Sequence, residues 1–282
     1  MYPAIRTVAV VGAGTMGQGI VMACLASGYP VQWFEMDPAT QAAAGVAVKQ
    51  YFDVLVGKGK TPRAQADDAL ARLTWAPSLA TIQADLTIEA IVEKLEVKQR
   101  VFQQLEGNGI MASNTSSLSV DAIAQAVKHK DRTAGLHFFN PAHIMKLVEV
   151  VAGTHTTPPV VEALRVFVGS LGKTAVTTKD SPGFIVNRVA RHFYTESFYQ
   201  LEQRAVDERG LDALMRSSGF KMGPCELSDL IGHDVNYAVT TSLYEAFAQA
   251  PRFVPSRIQQ QLVEQNKLGR KTGEGFYDYA VG

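Results

Sequence analysis

A run of three glycines, Gly12, Gly14 and Gly17, constrains this chain more than any other stretch. The apolar, β-branched segment at 7–11 precedes it and reads as a fully buried strand. The apolar segment at 20–26 comes after it and ends at Gly28, a helix stop. A strand, a tight glycine loop and a helix, in that order, open a dinucleotide-binding βαβ unit. One glycine makes the turn, one lets backbone approach a pyrophosphate, and one lets the helix pack on the strand. The N–H groups of the helix start, at Gly14, Thr15 and Met16, then face the phosphates with the helix dipole behind them. A glycine-rich surface turn would share the same letters, so the reading depends on the residues beyond the loop.

Residues 29–34 read as a second strand, and Glu35 stands at its end. The dinucleotide fingerprint puts an acid about 20 residues past the loop, on the ribose 2′-hydroxyl. A carboxylate there repels a 2′-phosphate, Asp37 adds to the repulsion, and no arginine stands nearby. NAD is therefore the expected cofactor rather than NADP. The 282 residues are 46% hydrophobic, enough for one large or two ordinary domains. Lys+Arg and Asp+Glu are both 27, and that neutrality argues against a nucleic-acid partner. Cys24 and Cys225 are the only cysteines. Their separation fits neither a disulfide framework nor a metal site, and it suits a reducing compartment. With no signal-peptide core and no apolar run of membrane length, the expectation is a cytoplasmic protein without a membrane partner.

Past Asp37-Pro38, a helical pattern covers 39–56 and a second covers about 64–73. The two form a helical hairpin whose tip carries Lys58, Lys60 and Arg63. With Lys49, that tip is a candidate seat for a phosphorylated substrate handle, or simply solvated loop. A buried strand at 84–92 ends beside Glu93, at the sheet edge where open α/β folds bind ligands. The helix at 95–105 puts Val97, Val101, Phe102 and Leu105 on one face, with Lys98 and Arg100 off it. A short strand at 109–112 leads into the polar loop 113–117, which brings Asn114, Ser116 and Ser117 toward the cofactor crevice. A helix at 118–128 begins there, so one serine of the region also fits a capping role.

Segments 134–139 and 146–151 read as strands joined by residues 140–145. If they pair antiparallel about that connection, His137 lies opposite Glu149, at about 4.5–5.5 Å between Cβ atoms. A carboxylate beside a neutral imidazole fixes its tautomer and raises its basicity, the arrangement of a general base. Histidines 129, 143, 155, 192 and 233 have no comparable partner in the local pattern. A helix at 158–171 and a strand at 174–178 come next, and residues 179–183 punctuate the chain. Beyond them the pattern is helical, from Phe184 through 207–217, a long helix at 223–247 and another at 255–266. The domain boundary thus falls near Pro182. Residues 1–182 form an α/β, Rossmann-type domain and residues 183–282 an all-α domain.

The motifs in their order resemble the NAD-dependent L-3-hydroxyacyl-CoA dehydrogenases. The resemblance spans the chain through the glycine loop, IEAIVEKLEVK at 88–98, SNTSS at 113–117 and GLHFFNP at 135–141. It continues through MKLVEV at 145–150, PGFIVNR at 182–188, MGP at 222–224 and GRKTGEGFY at 269–277. The resemblance implies reversible oxidation of a (S)-3-hydroxyacyl-CoA with NAD, a step of fatty-acid β-oxidation chemistry. It implies His137 as catalytic base and Glu149 as its partner. Ser116 and Asn187 match positions that contact the substrate oxygen or hold the site, and Asn140 shares the histidine's signature. Glu93 and Lys98 match positions on the cofactor side of the crevice. The family's second domain is helical and carries a homodimer contact. Glu35 stands where many relatives carry Asp, Lys221 where they often have Pro, Cys225 where a bulkier apolar residue is usual, and His233 where Leu is common. These departures bear on acyl-chain preference, with short or dicarboxylic chains both open. A sugar-acid 3-dehydrogenase of the same fold, a non-catalytic crystallin-like binder and one part of a larger multifunctional protein are the competing readings. The family-typical tail favours a free-standing enzyme.

Overall fold

A computed structural model describes residues 3–105, 107 and 109–279. The chain divides into two compact units, Met1–Ser181 and Pro182–Gly282. The first runs β1 (Val8–Val11), α1 (Thr15–Ala26), β2 (Val31–Phe34), α2 (Pro38–Gly57), α3 (Arg63–Ala71), β3 (Leu73–Trp75) and β4 (Leu86–Glu89). It continues with α4 (Leu95–Gln104), β5 (Ile110–Ser113), α5 (Val120–Ala124), β6 (Thr133–Phe138), β7 (Leu147–Ala152), α6 (Pro158–Ser170) and β8 (Thr174–Lys179). One eight-stranded sheet has the order β3-β2-β1-β4-β5-β6-β7-β8. Strands β1 to β6 are mutually parallel, β7 runs antiparallel to β6, and β8 is parallel to β7.

Burial on both faces explains the sheet. All four β1 residues are buried. Val8 and Val10 enter a core with Ile20, Trp33, Phe52 and Phe167, while Ala9 and Val11 enter another with Phe102, Met111 and Ile123. Alternate side chains of one strand thus feed two cores, as a parallel sheet covered on both sides requires. The strand order reverses between β1 and β4, and that switch point opens a crevice at their carboxyl ends.

Several local expectations need correction. The segment ending the helical hairpin is not helical throughout, since Leu73–Trp75 forms β3 and pairs with β2. Three residues are too few to display a strand period. The helix expected at 118–128 is confined to Val120–Ala124. Gln125, Ala126 and Val127 then donate to carbonyls three residues back, which tightens and ends it. Lys98 is 1% exposed, on the buried side of α4 with Phe102 rather than off it.

The second unit contains α7 (Val186–Glu202), α8 (Glu208–Ser217), α9 (Pro224–Ile231), α10 (His233–Ala246) and α11 (Arg257–Glu264). Its core gathers Tyr194, Phe198, Leu201, Leu211 and Cys225. The single helix expected over 223–247 is two, because Gly232 breaks it at a φ of 103°. Asp212 explains where α9 starts: its carboxylate accepts from the Cys225 and Glu226 N–H groups at 2.9 and 3.0 Å. Asp229 pins the chain end by accepting from the Phe276 and Tyr277 N–H groups and the Tyr279 hydroxyl. Among the described residues, no helix is long and apolar enough to cross a membrane.

Candidate active site

The glycine loop sits at the switch point and closes on itself tightly. Gly12 has a φ of 104°, and a Cβ there would come within 2.6 Å of the Ala90 carbonyl oxygen. A Cβ on Gly17 would overlap the Gly12 carbonyl oxygen, so helix and strand meet at a distance only glycine permits. Gly14 differs, since nothing lies within 4 Å of where its Cβ would stand. That open side, at the start of α1, is where a pyrophosphate fits. A crevice of about 810 Å³ extends from the loop between Phe34, Glu35, Pro77, Leu79, Ile91 and Val101. It is roomy and apolar with an acid at its rim, so these residues fit a dinucleotide. A larger cavity, about 970 Å³, lies by Thr7, Gln83 and Asp85 at the amino ends of the strands, the wrong end for this fold.

Glu35 turns its carboxylate back onto the loop. Its Oε2 accepts from the Ala13 N–H at 2.8 Å, and its Oε1 from the Met36 and Asp37 N–H groups. Asp37, expected to add repulsion, is the N-cap of α2, accepting from the Thr40 N–H and hydroxyl. Those bonds hold its carboxyl below the usual carboxylate range.

On the other side of β1 a buried charge network holds the 113–117 loop. Lys98 Nζ donates to Glu89 Oε1 at 2.6 Å and stands 3.1 Å from Glu93 Oε2. Glu89, fully buried at the end of β4, also accepts from the Ser113 hydroxyl at 2.6 Å. Glu93 Oε1 gathers the loop itself, accepting from the Thr115 hydroxyl at 2.5 Å and the Ser116 and Ser117 N–H groups at 2.9 and 3.2 Å. Burial opposes ionisation of Glu93, but Lys98 and these donors outweigh it and hold the carboxyl below its ordinary value. Lys98 therefore stands behind Glu93 rather than on the crevice wall. The helix-capping serine is Ser119, which accepts from the Ala122 N–H, so Ser116 and Ser117 are left to the loop. Asn114 turns its carbonyl oxygen to the Phe138 N–H at 2.9 Å, tying the loop to the end of β6.

The register of β6 and β7 places His137 opposite Glu149. Nδ1 of the imidazole lies 2.7 Å from Glu149 Oε2, with both residues buried. With Nδ1 engaged by a carboxylate, proton exchange with a ligand falls to Nε2. Asn140 stands just past the strand, exposed, on the amino side of a cis bond to Pro141. Asn187 lies in the second unit, half-buried in the first turn of α7. Lys49, Lys58 and Lys60 are exposed. Lys49 is 3.9 Å from Asp53, whereas Arg63 is taken up by Asp53 at 2.8 Å and Asp67 at 3.4 Å.

Two features lie outside the expectations drawn from the sequence. His233, expected to be without a partner, is fully buried, with Nε2 at 2.6 Å from Asp229 Oδ1 and Nδ1 at 3.0 Å from the Ser228 hydroxyl. Four-residue spacing within one helix would suggest the pair, but Gly232 interrupts the helix between them. Glu89 is the second. Its signal is present in the sequence, because a lone acid in an apolar strand is the same feature that singles out Glu149.

Doubly wound sheets that carry such a loop at the switch point bind dinucleotides, and a histidine–carboxylate pair adds proton transfer. The class is a nicotinamide-dependent oxidoreductase. The models for the 3-hydroxyacyl-CoA dehydrogenase NAD-binding and C-terminal domains match residues 7–181 and 183–279. The chain belongs to the 3-hydroxyacyl-CoA dehydrogenase family, and NAD is its cofactor. It is 44% identical over 281 residues to the 3-hydroxyadipyl-CoA dehydrogenase of Escherichia coli (strain K12), covering 98% of this chain and 59% of that one. This chain thus spans about three-fifths of that relative's length. It is 37% identical over 287 residues to the mitochondrial hydroxyacyl-coenzyme A dehydrogenase of Sus scrofa, covering 98% and 91% of the two chains. The crystal structure of (S)-3-hydroxybutyryl-CoA dehydrogenase PaaH1 from Ralstonia eutropha superposes with a TM-score of 0.94 at 36% identity, covering 98% of this chain and 99% of that one.

Proposed function

We propose that this chain catalyses the reversible oxidation of a (S)-3-hydroxyacyl-CoA to the 3-ketoacyl-CoA, with His137 as the general base. The observation that carries the assignment is the buried His137–Glu149 pair, 2.7 Å apart at the carboxyl end of the parallel strands. His137 Nε2 takes the hydroxyl proton in the forward direction and returns it to the forming alkoxide in reverse. Glu149 fixes the tautomer and stabilises the imidazolium. Ser116 donates to the oxygen on which charge develops, and Asn140 helps hold the acyl group. NAD, when bound, accepts or returns the hydride at the carbon bearing that oxygen. Gly12, Gly14 and Gly17 shape its seat, the Thr15 and Met16 N–H groups meet its phosphates, and Glu35 takes its ribose. Glu93 and Asn114 border the nicotinamide end, with Lys98 acting through Glu93.

Lys49, Lys58 and Lys60 are the candidates for the CoA phosphates, supported by their exposure on one helical hairpin. A short or dicarboxylic acyl chain is favoured, supported by the likeness to a 3-hydroxyadipyl-CoA dehydrogenase. The enzyme is cytoplasmic and works as a homodimer through its helical unit. Val189, Tyr199, Leu230 and Val235, 49–66% exposed on that unit, support an apolar contact there, which sedimentation tests. The reaction is tested by turnover of acetoacetyl-CoA and 3-oxoadipyl-CoA with NADH beside L-gulonate with NAD. Reduction of either thioester is expected; oxidation of L-gulonate with neither thioester reduced overturns the assignment.

A further inference from the structure

The peptide between Gly12 and Ala13 is gripped at both of its polar ends by one strand end. From beneath, the Trp33 indole Nε1–H donates to the Gly12 carbonyl oxygen at 2.9 Å. From the crevice side, Glu35 Oε2 accepts the Ala13 N–H at 2.8 Å. A third bond, from the Gly12 N–H to the Phe34 carbonyl at 2.8 Å, ties the same turn to β2. In a trans peptide the C=O and N–H point in opposite directions, so the two side chains fix the plane at its two edges. The plane needs fixing, because Gly12 has a φ of 104° and no Cβ to resist a rotation. A flipped peptide would turn the carbonyl dipole toward Glu35 and toward the phosphates the loop is built to meet.

The two grips differ in what a ligand does to them. Glu35 is the group that meets the ribose hydroxyls, so its bond to Ala13 is shared or surrendered when the dinucleotide binds. Trp33 is 0% exposed and stacks on Trp75 with ring centroids 4.5 Å apart at 11°. No ligand reaches its N–H. We infer that Trp33 is a positioning residue for the cofactor: its buried indole N–H holds the Gly12–Ala13 peptide in the phosphate-competent orientation, and does so alone once Glu35 turns to the ribose. The inference rests on the glycine loop being the NAD seat.

Trp33→Phe keeps an aromatic ring, a smaller one, and deletes the donor. The KM and Kd for NADH then rise about five- to twentyfold, as expected for one buried carbonyl left unpaired. The kcat at saturating NADH stays within about twofold, because the chemistry at His137 is untouched. The KM for NADPH rises by the same factor, whereas Glu35→Ala weakens NADH more than NADPH. Trp75→Phe disturbs the stack without touching the loop and leaves the KM for NADH unchanged. A Trp33→Phe enzyme with wild-type KM for NADH, or one matched in KM by Trp75→Phe, overturns the inference. The wild-type protein gives a second readout. These are its only two tryptophans, so ¹⁵N-indole labelling yields two N–H signals, separable with Trp75→Phe. The Trp33 proton stays protected from solvent exchange with NADH bound; loss of that protection on binding overturns the inference even if Trp33→Phe fails to fold. Failure of the wild-type enzyme to bind NADH would instead overturn the reading of the loop.

Discussion

Two histidines in this chain are buried against carboxylates at nearly the same distance, and they stand in different surroundings. His137 meets Glu149 at 2.7 Å across an antiparallel strand pair, and His233 meets Asp229 at 2.6 Å across a broken helix. The first keeps 6% of its surface and stands at the rim where this fold binds ligands; the second keeps none. Both nitrogens of His233 are occupied, one by Asp229 and the other by Ser228 with Gln259 nearby at 3.4 Å. Asp229 is also fully engaged, holding two backbone N–H groups and a tyrosine hydroxyl of the tail. A histidine–carboxylate pair is therefore not by itself a catalytic signature. What separates the two is access, and whether the carboxylate serves the imidazole or a piece of architecture.

The contrast between the pairs is most vulnerable at His137. His137→Gln should lower kcat about 10²–10⁴-fold with the Kd for NADH unchanged, read by stopped-flow reduction of acetoacetyl-CoA. Retained turnover would move the chemistry elsewhere. Glu149→Gln keeps a hydrogen bond but removes the charge, and should cost about 10–10²-fold in kcat, less than loss of the base itself. The corresponding change in the other pair, His233→Leu, should leave kcat within about twofold and lower the stability of the helical unit by about 1–3 kcal/mol. Thermal melting beside steady-state rates separates the two outcomes, and a large rate effect would erase the distinction drawn between the pairs.

The smallest effect is pH-dependent. Burial works against ionisation of Asp229, but His233 and the tail donors prevail and hold its carboxyl below the usual aspartate range. A lowered carboxyl contributes its full stabilisation above the ordinary aspartate range and loses it as pH falls through the lowered value. The protection factors of the Phe276 and Tyr277 amides, taken against the intrinsic exchange rate at each pH, should therefore fall in acid. In Asp229→Asn that dependence disappears while the tail is looser at every pH.

Much of the fold and of the site is legible in the sequence, and the exceptions share a cause. The β-branched runs and the glycine loop specify the sheet because its central strands β1, β4, β5 and β6 bury both faces. His137 and Glu149 are legible because a hairpin places residues symmetrically about its connection, and both residues are polar letters in apolar strands. Lys98 is illegible because its burial depends on Glu89, nine residues away on another element. His233 is illegible because one glycine ends a helix that composition alone continues. The hold of Glu93 on the 113–117 loop, and of Trp33 on Gly12, depends on which strand ends lie side by side. No window of local sequence contains that.

The reversal at β7 has a consequence for how this enzyme can change by descent. The chain reaches the rim at His137, turns, and returns along it to Glu149, so one short hairpin carries both members of the pair. They are inherited together and are vulnerable together. A one-residue slip of β7 against β6 would send Glu149 to the opposite face of the sheet, since side chains alternate with a period of two, and the buried apolar residues of β7 oppose that slip. The connection between the strands can drift in length, as surface loops ordinarily do, only where it leaves that register in place.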